Sequence, residues 1–221
     1  ESGNRYSLFF SLLPEQFSPH IHAGILIFDG GKPYVYEALG NLGLFLGSKP
    51  TENISGHIRR RPLQRYISNE NYTSIYNLPE SVDKNKIIQF ALDHYRKGTP
   101  FDPYTNTEAH DSFYCTEFVA VALEASSNDH ITLTPYRKNN SIKKIRDWLK
   151  FVSEDVILAD SLVQPENHVV TLSSRLTLRE LKLYILMRYE LHRRFTEDKR
   201  LGNLFEWTGS QLKLRKPVVL F

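Results

Sequence analysis

The stretch His20-Ile21-His22-Ala23-Gly24-Ile25-Leu26-Ile27-Phe28-Asp29-Gly30-Gly31-Lys32-Pro33-Tyr34-Val35-Tyr36-Glu37-Ala38 decides the fold. An apolar run at 21–28, an Asp-Gly-Gly-Lys break and a second apolar run at 33–38 describe two strands joined by a tight turn. With pairing symmetric about Gly30-Gly31, positions whose numbers sum to 61 face each other. Gly24 then faces Glu37, and facing residues share one side of the sheet. His22, two residues from Gly24, shares that side through the period of two. His22 and Glu37 become diagonal neighbours, about 5.5–8 Å apart at Cβ, with no side chain on Gly24 between them. A bulge in the hairpin would reverse this register. A carboxylate inside an apolar strand is costly unless partnered, and His22 is the nearest partner for Glu37.

The second decisive stretch is Phe113-Tyr114-Cys115-Thr116-Glu117-Phe118-Val119, which holds the single cysteine of the 221 residues. A loop becomes a helix here, with Phe118, Val119, Ala122 and Leu123 as its apolar face. A helix N-terminus offers unpaired N–H groups and partial positive charge, which favour a thiolate. Cys115 as nucleophile, His22 as base and Glu37 as orienting acid would form a thiol hydrolase or acyltransferase site in the chain order His, Glu, Cys. The backbone N–H of Cys115 is an oxyanion donor, and Tyr114 is a second donor or a wall of the cleft. Taken singly, each residue has a plainer reading: a packed thiol, a satisfied core histidine, and a first-turn acid in Glu117. His20 lies on the His22 side but further from Glu37. His110 with Asp111 belongs to a poorly held loop, and Asp102 initiates a turn.

The rest of the chain supports a mixed α+β architecture, with helices on a mostly antiparallel sheet. Residues 39–56 read as a loop. Ser81–Lys97 reads as a helix capped by Ser81 or Asp83 and ended by Gly98. Further elements are expected at Ser141–Val152 (helix), Val156–Leu158 and Val169–Leu172 (strands), Thr177–Phe195 (a long helix) and Lys216–Phe221 (strand). Residues 1–174 form the main unit and 175–221 an extension packed on it. The bland role of its helix is a packed lid or brace. The livelier one is an oligomer contact through Leu181, Ile185 and Tyr189, with Leu204, Phe205 and Trp207 beyond.

Composition excludes several classes. The 28 basic and 25 acidic residues leave a net charge of +3, and the densest basic patch, Arg59-Arg60-Arg61 with Arg65, reads as a solvated edge. A nucleic-acid binder would show a longer basic stripe. No HExxH, GxGxxG or P-loop is present, so no metal or nucleotide cofactor is implied. No apolar run is long enough to span a membrane. One cysteine cannot close an internal disulfide. The chain opens at Glu1 without an initiator Met, which suggests that an upstream segment was removed.

His22-Ala23-Gly24-Ile25, Tyr36-Glu37-Ala38, Phe101-Asp102 and Tyr114-Cys115-Thr116-Glu117-Phe118-Val119 together resemble the permuted NlpC-type papain-like cysteine hydrolases, specifically the YiiX-like group. Ala23 stands where that group more often has valine, Thr116 where it has serine and Phe118 where it has leucine. Ser161-Leu162-Val163-Gln164-Pro165-Glu166 resembles the segment before the family's closing strand. The resemblance covers residues 18–170. It implies a papain-like fold rearranged so that histidine and acid precede cysteine, and a Cys115–His22–Glu37 triad. It also implies hydrolysis of amide bonds in peptide-like, cell-wall-derived or acyl-conjugate substrates. The related lecithin:retinol acyltransferase group implies lipid-directed acyl transfer as the alternative, and a non-catalytic binding member is the third reading. The compartment stays open, with a lean towards the bacterial envelope.

Overall fold

The computed structural model describes residues 11–40, 56–128, 136–138 and 153–197, together with the backbone of 205–208 and 211–214. The expected helix at 141–152, the expected strand at 216–221 and the position of Leu204 lie outside the described residues, as do the side chains of Phe205 and Trp207.

The architecture is mixed α+β. Strands β1 (Ile25–Asp29), β2 (Lys32–Gly40) and β3 (Gly56–Pro62) form an antiparallel sheet with β2 in the middle. Gly30 and Gly31 both adopt positive φ, 57° and 78°, so the chain reverses in two residues that carry no Cβ to obstruct it. This turn fixes the register: Ile25 pairs with Tyr36 and Asp29 with Lys32, the symmetric pairing expected from the sequence. Strand β3 was not expected, because Arg59-Arg60-Arg61 reads as solvated surface. It pairs along β2, with Arg59 opposite Glu37 and Arg61 opposite Val35. The expected loop at 39–56 therefore begins and ends in strand.

Beyond the sheet come α1 (Leu63–Asn69), β4 (Thr73–Tyr76), α2 (Lys84–Lys97), α3 (Cys115–Ser126), β5 (Tyr136–Arg137), β6 (Asp155–Val156), β7 (His168–Leu172), α4 (Leu178–Glu197), β8 (Phe205–Thr208) and β9 (Gln211–Leu214). The pairs β4–β7, β5–β6 and β8–β9 are separate two-stranded ribbons, so the sheet structure is more divided than expected. Helix α2 starts where the Asp83 carboxylate accepts the N–H groups of Asn85 and Lys86, and it ends at Gly98 in the left-handed conformation.

The core lies between one face of the sheet and helices α2 and α3. Ile25, Ile27, Tyr36, Ala38 and Ile58 from the sheet meet Ile87 and Ala91 from α2 and Phe118 and Leu123 from α3. Alternation along β2 sends Glu37 to the other face. Phe101 closes the far end of the sheet: a Cβ on Gly40 would lie 2.3 Å from its ring, so only glycine fits there.

Helix α4 packs on the segment that precedes His22. Its inward stripe buries Leu181, Arg188, His192 and Phe195. Arg188 Nη1 donates to the Pro19 carbonyl at 2.7 Å, His192 Nε2 lies 2.9 Å from the Pro14 carbonyl, and Phe17 packs edge-on against Tyr189. The extension thus fastens the segment that leads into His22.

Candidate active site

Glu37 is fully buried, with 0% of its side chain exposed, and is surrounded by donors. His22 Nε2 lies 2.6 Å from Oε2, the diagonal contact that the hairpin register predicts. Arg61 reaches the same carboxylate twice, through Nη2 to Oε2 at 2.8 Å and through Nε to Oε1. Arg59 adds a longer bond from Nε to Oε1 at 3.3 Å. Burial opposes ionisation of Glu37, but His22 and then Arg61 outweigh it and draw the carboxyl down from 4.5 to about 2. The basic patch is therefore partly site machinery: Arg59 and Arg61 turn inward at strand spacing, while Arg60 leaves the sheet on the other side and covers the Tyr34 ring at 4.3 Å. The sequence signal was the apolar Ile58 next to an i, i+2 arginine pair.

The imidazole is held on its flat side as well. Tyr66 of α1 stacks on His22 with centroids 6.2 Å apart at 26°, and the Arg61 guanidinium lies over the same Tyr66 ring at 4.7 Å. With Nε2 committed to Glu37, Nδ1 is the nitrogen left for the thiol.

Cys115 is the first residue of α3 and is half-buried. Burial resists thiolate formation. The charge and hydrogen bond of His22, followed by the backbone N–H groups of Ala23 and Thr116, reverse that and lower the thiol pKa. The same pairing raises the His22 pKa: burial pulls it down, Cys115 and then Glu37 push it up, and the partners win. The two shifts run in the direction that favours a thiolate beside an imidazolium.

The helix start is pinned on both sides of the sulfur. The Tyr114 hydroxyl accepts the Ile157 N–H at 3.1 Å, and Thr116 Oγ1 donates to the Ile157 carbonyl at 2.7 Å. Tyr114 is buried, so the structure places its ring as an anchor against Val156 and Leu158. The Cys115 backbone N–H, as an N1 residue, has no acceptor within the helix.

Glu117 is 1% exposed and accepts the Tyr114 N–H at 3.2 Å. It is the first-turn acid expected, and burial, with smaller contributions from Asp102 and Cys115, raises its pKa to about 8. His110, the loop competitor, lies 3.4 Å from Glu117 Oε1 and is half-exposed. Asp102 behaves as a turn initiator, accepting the N–H groups of Tyr104 at 2.7 Å and Asn106 at 2.6 Å.

Beside His22 opens a cavity of about 420 Å³. Its walls are mostly aliphatic, with Leu63, Ile87, Ile88, Val119, Leu123 and Val163 among them. His20, the other competitor for the base, also lines it but is bonded to Asp160 and not to Glu37. Among the described residues, no three His, Cys, Asp or Glu side chains are placed to share a metal ion, and no helix is long and apolar enough to cross a membrane. No family model, curated protein or solved structure matches the chain.

Proposed function

We propose that the protein is a cysteine hydrolase of permuted papain-like type that cleaves amide bonds in peptide-like, cell-wall-derived or acyl-conjugate substrates. The observation that carries this reading is His22, joined to buried Glu37 at 2.6 Å and near enough to a thiol at a helix N-terminus for each group to shift the pKa of the other. The Cys115 thiolate attacks the amide carbonyl carbon, and the resulting oxyanion takes the Cys115 N–H. The His22 imidazolium gives its proton to the departing amine, which leaves a thioester on sulfur. Water, deprotonated by His22, then releases the acid and restores the thiol. Glu37 keeps the imidazole oriented throughout.

A second reading, acyl transfer from lipid-like substrates, is favoured by the aliphatic cavity beside His22, whose size suits part of an acyl chain. Incubation with peptidoglycan fragments and with fatty-acyl amides, followed by mass spectrometry, separates the two. Labelling of Cys115 by a chloroacetamide probe, lost in His22→Ala, tests the nucleophile itself. An unlabelled Cys115 in folded protein would leave only a binding role.

A further inference from the structure

Two residues before His22, a second imidazole is joined to a second carboxylate. His20 Nδ1 lies 2.7 Å from Asp160 Oδ1, and His20 Nε2 lies 3.0 Å from Ser74 Oγ. Asp160 belongs to the 3₁₀ turn Ala159–Leu162, and Ser74 to β4. The other Asp160 oxygen accepts the Ser18 hydroxyl. Burial works against the Asp160 charge, but the His20 bond and charge lower its pKa, so it stays an acceptor.

That charge sets the direction of the first bond in the chain. In the tautomer whose Nδ1–H donates to the carboxylate, Nε2 carries the lone pair. Ser74 Oγ–H then donates to Nε2. The Thr171 hydroxyl lies 2.8 Å from Ser74 Oγ and 2.9 Å from His168 Nε2. Ser74 Oγ thus lies within proton-transfer reach of a base. His20, Ser74 and His22 line the same cavity.

We propose that Ser74, His20 and Asp160 form a second acyl-transfer centre, of serine type, which takes esters of short apolar acids from the cavity shared with His22. Ser74 Oγ bonds to the ester carbonyl carbon while its proton passes to His20 Nε2. The ester C–O bond breaks, and the alkoxide leaves with that proton as an alcohol. Water attacks the acyl-serine with His20 as base, which frees the acid and regenerates Ser74. Asp160 holds the tautomer and balances the imidazolium. The three residues come from distant parts of the chain, so no sequence motif announces them; recognition rests on geometry and roles.

The plainer role for these bonds is a strut that holds the loop before His22. A strut gives Ser74 no reactivity, and the test uses that difference. Cys115→Ala protein is treated with an alkyl fluorophosphonate and mapped by mass spectrometry. The expected result is an adduct on Ser74 that forms about 10²-fold more slowly or worse in Asp160→Asn. Hydrolysis of p-nitrophenyl butyrate by Cys115→Ala protein should disappear when Ser74→Ala is added, a comparison that leaves the Asp160 contacts untouched. No adduct on Ser74 in protein with native near-UV circular dichroism overturns the proposal. So does labelling at an unchanged rate in folded Asp160→Asn, or ester turnover indifferent to Ser74→Ala. Because the thiol is absent throughout, none of these outcomes bears on Cys115.

Discussion

Arg61 grips Glu37 through two guanidinium nitrogens, although the residue directly across the sheet from Glu37 is Arg59. The diagonal residue makes the stronger contact because its fork meets both carboxylate oxygens, while Arg59 offers one bond at 3.3 Å. Arg61 is also the less exposed of the two, at 14% against 39%. Arg61→Met should therefore destabilise the fold by about 2–4 kcal/mol, since a buried charge loses its main partner. Arg59→Met should cost about 1 kcal/mol or less. Urea unfolding of the two variants checks the order.

Alkylation of Cys115 by iodoacetamide should continue at pH values well below the ordinary thiol pKa of 9.0. His22→Ala removes the cation that stabilises the thiolate, so the midpoint of the rate–pH profile should move up, and turnover should fall by roughly 10²-fold or more. Glu37→Gln should slow turnover less than His22→Ala. It should also lower stability, because Arg61 then faces a neutral amide. Cys115→Ala should abolish the thiol chemistry with little change in the unfolding midpoint. A profile for His22→Ala that superimposes on wild type would refute the ion pair.

Glu117 makes stability fall with rising pH. Its folded pKa of about 8 exceeds its ordinary 4.5, so the folded protein holds the proton more tightly than the unfolded chain. Its contribution is complete below about pH 4.5 and is lost as pH rises towards 8, at no more than about 1.4 kcal/mol per pH unit. Glu37 has the opposite sign: its contribution is present above 4.5 and is lost as pH falls through about 2. Glu117→Gln keeps a neutral side chain with an acceptor for the Tyr114 N–H. Thermal melts should show the variant gaining on wild type between pH 5 and pH 8.

Gly40→Ala should destabilise the fold by about 1–3 kcal/mol. The new methyl would run into the Phe101 ring, whose own Cβ lies close to Gly56. Phe101→Leu in the same chain should recover part of the loss, and a double-mutant cycle on unfolding midpoints measures how much.

The hairpin was legible in sequence because the Gly30-Gly31 turn has few solutions, and its register then placed Glu37 against His22 without any tertiary information. Helices α2, α3 and α4 were legible from their periodic apolar stripes and, at α2, from a cap and a terminating glycine. Strand β3 was hidden because Arg59 and Arg61 are inward charges, and a charge run carries no sign of which members are paired. The seven residues of α1 are too few to show a helical period. Asp160 could not be assigned to His20, since the two are 140 residues apart and nothing local marks the pairing. Tyr114 shows the same limit: its place beside Cys115 was clear, but its bond to Ile157 depends on a segment 43 residues downstream.

The brace formed by α4 also sets the order of assembly. Pro14 and Pro19 are tied by side chains 178 and 169 residues downstream. A chain emerging from the ribosome would thus complete the hairpin and present its sulfur long before the segment ahead of the imidazole is secured. Full reactivity would wait until α4 has been made, and the nascent polypeptide would be spared its own chemistry.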